Sequence, residues 1–319
     1  MNDINFTNKK EVKKYFYVIN YNPEFEKELC MMEIKVLFNV NPSEKCFFAD
    51  KYIDPTRSPF LKEVISIIYE ENSLEEILSK IKRDKVSYEK FKVCYLKNET
   101  DYISYEERLR RVREIGLIIE GEAEIHNPDV MLGVSKVNGK WIFGEYHKND
   151  FKWHIHDKKP YSYSNSLSLR VARALVNIAV GCDTYKKLID PCCGVGTVVI
   201  EALSMGIDVC GCEMNVSIAE NAERNLEFFG YDNVIIKGDM RTITERYDAA
   251  IIDLPYGLFT PTTLEEQISI INAARNITER LVLVTFEDMS DLIEKSGFKI
   301  VDTAHVSKGK FKRIVNICI

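Results

Sequence analysis

Several absences narrow the reading of this 319-residue chain. No stretch approaches the ~18 uncharged apolar residues that a membrane span requires, so a membrane role is not expected. The start, Met1 to Phe6, lacks a positive region followed by an apolar run, and no secretory leader is expected there. The nine cysteines are an odd number without framework spacing: Cys192 and Cys193 are adjacent, and Cys210 and Cys212 flank one glycine. That excludes a disulfide scaffold and is the usage of a reducing cytoplasm. Cys210 and Cys212 with His154 and His156 lack the spacing of a structural zinc site, and no metal is expected. A basic excess is missing too: Lys and Arg total 43 against 49 Asp and Glu, a net charge of −6. Residues 1–160 carry 27 basic against 28 acidic side chains and the remainder 16 against 21. A wholesale basic nucleic-acid binder is excluded, and any nucleic acid must be met by local patches.

What is present is two kinds of pattern. Tyr15–Asn20 and Lys45–Ala49 are strand-like, and the apolar residues at 25, 29, 32, 36 and 37 have helical spacing. Residues 58–83 suggest one or two helices, with Ser73 and Glu76 as a capping box. This order predicts a ferredoxin-like α+β region over 1–84. From residue 85 to 147 come a strand at Phe91–Leu96, a helix from Ser104 to Ile119 and the strands Val130–Val134 and Trp141–Phe143. Asn138-Gly139 between those two strands is a hairpin signal. The second stretch, through Phe91-Lys-Val, Ile115-Gly116, Asn127-Pro-Asp-Val130 and the hairpin, resembles a THUMP domain, which implies RNA binding. Residues 148–165 read as a polar, aromatic linker in which Tyr161 and Tyr163 stack on bases or pack locally. Asn165 or Ser166 is expected to cap a helix over 167–180.

Residues 166–319 alternate strand and helix: strands at 187–190, 207–213, 233–237, 248–253, 280–286, 298–305 and 312–319, with helices at 197–205, 215–229, 263–277 and 289–296. Alternation of this kind predicts a parallel sheet covered on both faces. The last two strands are joined by too short a loop for a parallel crossover, so the final pair should be antiparallel. The expected class is α/β, and a mostly parallel seven-stranded sheet with a reversed last strand resembles that of the class I, Rossmann-like methyltransferases.

Four acids fall at successive strand ends: Asp190, Glu213, Asp239 and Asp253. Ligands of open α/β sheets bind beyond those ends. After Asp190, the run Pro191-Cys192-Cys193-Gly194-Val195-Gly196-Thr197 allows close backbone approach before a helix. Glu213, followed by Met214, lies where such folds hold ribose hydroxyls, and Asp239, followed by Met240, can accept from an adenine amino group. A third glycine is missing at Val199, which disfavours a dinucleotide and favours S-adenosyl-L-methionine.

Asp253-Leu254-Pro255-Tyr256 suits methyl transfer to a planar amine. The lone pair of an exocyclic amine is delocalised into its ring. Asp253 and the carbonyl of Leu254 would accept from the NH2 group and localise that pair, and Asp253 would take the surplus proton. Pro255 stiffens the turn, and Tyr256 offers a stacking face.

Asp190-Pro-x-Cys193-Gly-x-Gly-Thr197 with Ile200-Glu-Ala202 and Asp253-Leu-Pro-Tyr-Gly257 resembles the THUMP-associated RNA amino-methyltransferases, in particular tRNA guanosine-10 N2-methyltransferases. The resemblance is strong over 160–319 and looser over 85–147. It implies an enzyme that uses S-adenosyl-L-methionine on a tRNA guanine amino group and holds the tRNA with its THUMP region; the cysteine usage adds a cytoplasmic location, and a monomer is the expected state although the sequence does not fix it. Leu254 departs from the family's usual proline. Arg108, Arg110, Arg111 and Arg113 on one helix, with Lys80 and Lys82 on another, are the candidate phosphate contacts, against the alternative of a solvated face with acidic neighbours. Rival readings are methylation of adenine N6 in DNA or of a protein glutamine, and an RNA-binding protein with a retired site.

Overall fold

The structure is a computed structural model that describes residues 14–163, 166–255, 262–308 and 311–319. In chain order, the first half forms β1 (Tyr15–Ile19), α1 (Lys27–Phe38), β2 (Cys46–Ala49), β3 (Leu61–Glu71), α2 (Leu74–Arg83), β4 (Ser87–Tyr95), α3 (Tyr105–Gly116), β5 (Glu120–Ala123), β6 (Val130–Val137) and β7 (Lys140–Lys148). The second half forms α4 (Leu169–Val180), β8 (Leu188–Asp190), α5 (Thr197–Ser204), β9 (Val209–Glu213), α6 (Val216–Phe228), β10 (Ile235–Lys237), β11 (Ala249–Asp253), α7 (Leu264–Ile277), β12 (Leu281–Thr285), α8 (Ser290–Lys295), β13 (Ile300–Lys308) and β14 (Phe311–Cys318). None of the described helices is long and apolar enough to cross a membrane.

Two compact units result, and their boundaries differ from the linear order. The first unit takes residues up to 20, 42–57 and 61–150; the second takes 21–41, 58–60 and 151–319.

The first unit is built on one seven-stranded sheet, in the order β2-β1-β3-β7-β6-β4-β5. Residues 58–83, expected as helix, instead place β3 before α2. The run Val64-Ile65-Ser66-Ile67-Ile68-Tyr69 is rich in β-branched side chains, which pack well on a pleated surface. Because β3 pairs with β1 on one side and β7 on the other, the sheet crosses the boundary expected between residues 84 and 85. The local signals hold: Ser73 and Glu76 form the capping box of α2, and the Ser104 hydroxyl accepts from Glu107 N. Asn138 and Gly139 take φ of 50° and 80°, the two left-handed positions of a tight hairpin turn.

The second unit is built on the sheet β10-β9-β8-β11-β12-β14-β13. Its first five strands are parallel, and β14 runs antiparallel to both β12 and β13. β8, β11 and β12 are continuous apolar runs with almost every residue buried, as strands covered on both faces should be. Ser168, rather than Asn165 or Ser166, caps α4 by accepting from Val171 N; Asn165 lies outside the described residues. From the first half of the chain, α1 joins this unit by packing on α4 and β13. Glu33 of α1 is fully buried and accepts from Ser58 Oγ at 2.6 Å and from Asn177 Nδ2 of α4 at 2.7 Å. Glu28 of the same helix accepts from the His305 backbone N–H of β13.

Candidate active site

The strand order of the second unit reverses between β8 and β11, so the connections that follow their carboxyl ends leave in opposite directions and open a crevice there. A cavity of about 450 Å³ occupies this position, a size suited to a small ligand. The acids expected from the sequence converge there: Asp190 ends β8, Glu213 ends β9, Asp239 follows β10 and Asp253 ends β11, and all four line the cavity.

The turn after β8 is shaped by its glycines. Gly194 and Gly196 have φ of 53° and 80°, a region costly for residues with a Cβ. A Cβ on Gly194 would point into open space, where it would occupy room left for a ligand. Gly196 N donates to Cys193 O at 2.8 Å, and Cys193 N donates to Cys212 O at 2.9 Å, which binds the turn to β9. Cys192 and Cys193 line the cavity, and burial pushes both thiols well above their ordinary range. Thr197 opens α5, and its buried Oγ1 has no hydrogen-bond partner among the described residues.

Each acid has a distinct environment. Glu213 accepts from Gly194 N at 3.1 Å and from Asn215 N at 2.8 Å. A carboxylate has about four acceptor sites, so lone pairs remain for a ligand's hydroxyls. Asp239 is held by the side chain and backbone N–H of Arg241, which keep its carboxyl below the usual range. Asp190 is buried, with one oxygen accepting from Cys192 N at 3.3 Å. Burial lifts it to about 8, and the nearby Asp253 and Glu213 charges add to the rise. Burial lifts Asp253 to about 6, while Arg313 opposes the rise. Met214 and Met240 also line the cavity.

Leu254 and Pro255 follow Asp253 directly. Leu254 N donates to Val284 O of β12 at 3.0 Å, and its side chain is buried against Ile271, Ala274 and other apolar residues. Gln267 Nε2 of α7 donates to Pro255 O at 3.0 Å. Tyr256 and Gly257, the remainder of the motif, lie outside the described residues.

The linker is more structured than its composition suggests. Residues 152–158 form a 3-10 segment in which His156 Nδ1 meets Glu201 Oε1 of α5 at 2.7 Å, and Arg173 of α4 donates to Glu201 Oε2 at 2.7 Å. Tyr161 N donates to Asn225 Oδ1, and Asn225 Nδ2 donates to the carbonyls of Tyr161 and Val195, so α6 joins the linker to the glycine turn. Tyr163 lines the cavity. Among the described residues, no group of three or more His, Cys, Asp or Glu side chains is arranged to hold a metal ion.

The six candidate phosphate contacts lie in the first unit, and three of them face acids. Glu107 accepts from Arg110 and Arg111, Glu114 accepts from Arg111, and Glu71 accepts from Lys80. The Arg108 guanidinium lies over the rings of Tyr95 and Tyr105. Lys82 and Arg113 are exposed on α2 and α3. Sequence reasoning missed Arg313, Gln267 and Asn225, which reach the site by strand pairing or helix packing and carry no local motif.

Residues 156–307 match the model of an RMKL-like methyltransferase domain (UPF0020). The chain is 30% identical over 207 residues to a tRNA (guanine(10)-N2)-dimethyltransferase of Pyrococcus abyssi, covering 59% of this chain and 61% of that protein. It is 30% identical over 168 residues to a protein of the same name from Methanothermobacter thermautotrophicus, covering 48% and 49%. It is 25% identical over 226 residues to a tRNA (guanine(6)-N2)-methyltransferase of Archaeoglobus fulgidus, covering 59% and 57%. The chain thus spans about half to three fifths of the length of these curated relatives.

Proposed function

We propose that this protein is an S-adenosyl-L-methionine-dependent methyltransferase acting on the 2-amino group of a guanosine in tRNA. One observation carries the reading: the Asp253 carboxylate opens into the same cavity as the glycine turn and the strand-end acids Asp190, Glu213 and Asp239. The names of the relatives supply the guanine amine and the tRNA.

The residues suit the cofactor. Glu213 retains acceptor capacity for ribose hydroxyls, Gly194 leaves room beside the backbone, and the Thr197 hydroxyl lacks a partner among the described residues. Asp239 is a candidate acceptor for an adenine amino group, in exchange for part of its contact with Arg241. When bound, S-adenosyl-L-methionine supplies an electrophilic methyl group.

This chain's own residues would do the rest. Asp253 accepts from the guanine amino group and draws its lone pair out of conjugation; the Leu254 carbonyl is the second acceptor. Tyr256, outside the described residues, is read as the stacking face for the flipped base. As the amine nitrogen took the methyl group, the methyl–sulfur bond would break and S-adenosyl-L-homocysteine would leave, and one amino proton would pass to Asp253, whose carboxyl at about 6 suits a base working near neutrality. Residues 85–147, with the strands that share their sheet, are read as a THUMP-like RNA-docking region, and Lys82, Arg108 and Arg113 as its first candidates for phosphate contact. The second unit is read as the class I domain. A cytoplasmic monomer completes the reading.

The test is transfer of labelled methyl to unmodified tRNA by native protein and by Asp253→Ala, with cofactor affinity measured by calorimetry. Transfer should fall at least 100-fold in the variant with affinity held within a few-fold. Near-native turnover would overturn the role of Asp253.

A further inference from the structure

The cavity acids present an electrostatic problem. Asp190, Glu213 and Asp253 stand at the ends of three adjacent strands, and an ionised carboxylate without a counter-charge tends to take up a proton when buried. Among the residues lining the cavity, Arg241 supplies positive charge, but it is engaged by Asp239. A second arginine lies close to Asp253 from another direction. Arg313 of β14 is 5% exposed, and its Nε stands 3.8 Å from Asp253 Oδ1. Strand pairing puts it there: Ile314 pairs with Thr285, the last residue of β12, and β12 pairs with β11. The guanidinium also lies over the Phe286 ring, 5.0 Å from its centroid, which seats the cation.

The geometry divides the two oxygens of Asp253. Oδ1 is buried and has no hydrogen-bond partner among the described residues, yet the side chain as a whole keeps 23% exposure and lines the cavity. Oδ2 is therefore the oxygen left toward the cavity.

We propose that Arg313 is a positioning residue that keeps Asp253 ionised and holds Oδ1 away from the cavity, so that Oδ2 is presented to the substrate amine. The inference rests on the reading of Asp253 as the amine acceptor. The charged groups around Asp253 are Asp190 on β8, Glu213 on β9, Arg313 on β14, and, around the same cavity, Glu266 on α7 with the Asp239–Arg241 pair. Of these, Arg313 opposes the effect of burial on Asp253.

The experiment uses the full chain carrying carboxyl-labelled aspartate, with Asp253→Asn to assign the signal, and titrates Asp253 by carbon NMR. In Arg313→Met its midpoint should rise by at least one pH unit relative to the native protein. In Arg313→Lys, which keeps the charge, it should stay within half a unit. Phe286→Leu, which unseats the cation without removing it, should give a smaller rise and serves if Arg313→Met does not fold. An unchanged midpoint in whichever of Arg313→Met and Phe286→Leu folds would overturn the inference. The acid limb of the rate of methyl transfer to tRNA should move upward with the titration. A moved titration with an unmoved limb supports the ion pair and overturns instead the reading of Asp253 as the acceptor.

Discussion

The side-chain amide of Gln267 donates a 3.0 Å hydrogen bond to the carbonyl of Pro255. That bond anchors the far side of the turn whose near side is anchored by Leu254 N on Val284 O. Leu254, in the position of the expected proline, is held by burial in the apolar cluster below the site rather than by a ring. The turn is thus constrained by packing and by a helix side chain. Gln267→Ala should lower kcat for methyl transfer about fivefold, the scale of one hydrogen bond of about 1 kcal/mol. Cofactor affinity measured by calorimetry should stay within twofold. An unchanged kcat would show that the turn keeps its shape without the amide.

A second expectation concerns α1. Its buried Glu33 satisfies Ser58 and Asn177 together. Glu33→Ala would remove both charge-assisted hydrogen bonds, each worth about 1.5–3 kcal/mol. Urea unfolding should show the whole loss, and a midpoint equal to the native one would refute the role. For the same reason a fragment of residues 151–319, which lacks α1, should unfold at lower urea than the intact chain.

A third follows from Asp190, which burial lifts from 3.8 to about 8. Because its folded value is raised, folding takes up a proton. The stabilising contribution is complete below about pH 4 and is lost as pH rises through about 8. In the absence of cofactor, the urea midpoint should therefore fall between pH 5 and pH 9, and Asp190→Asn should flatten that part of the profile. Parallel profiles for the two proteins would contradict the assignment.

These features differ in how far the sequence reveals them. The second sheet was legible because its strands are short apolar runs ending in an acid and a turn, signals carried by neighbouring residues. The four strand-end acids were legible for the same reason, since the ends of parallel strands converge by topology. β3 was not: an 11-residue strand buried along most of its length lacks the alternation that separates strand from helix. The place of α1 was hidden because its partners Asn177 and His305 are more than a hundred residues away. Arg313 was hidden similarly, being brought to Asp253 only by the reversed strand β14. In the arginine-rich helix α3, the acidic neighbours visible in the sequence do engage Arg110 and Arg111, leaving Arg113 there and Lys82 on α2 as exposed candidates.

The most direct measurement incubates the full chain with tritiated S-adenosyl-L-methionine and unmodified tRNA, digests the RNA and identifies the labelled nucleoside. The account predicts label in N2-methylated guanosine, and its loss in Asp253→Ala. Label in N6-methyladenosine, or no transfer to tRNA by a protein that binds the cofactor, would contradict it.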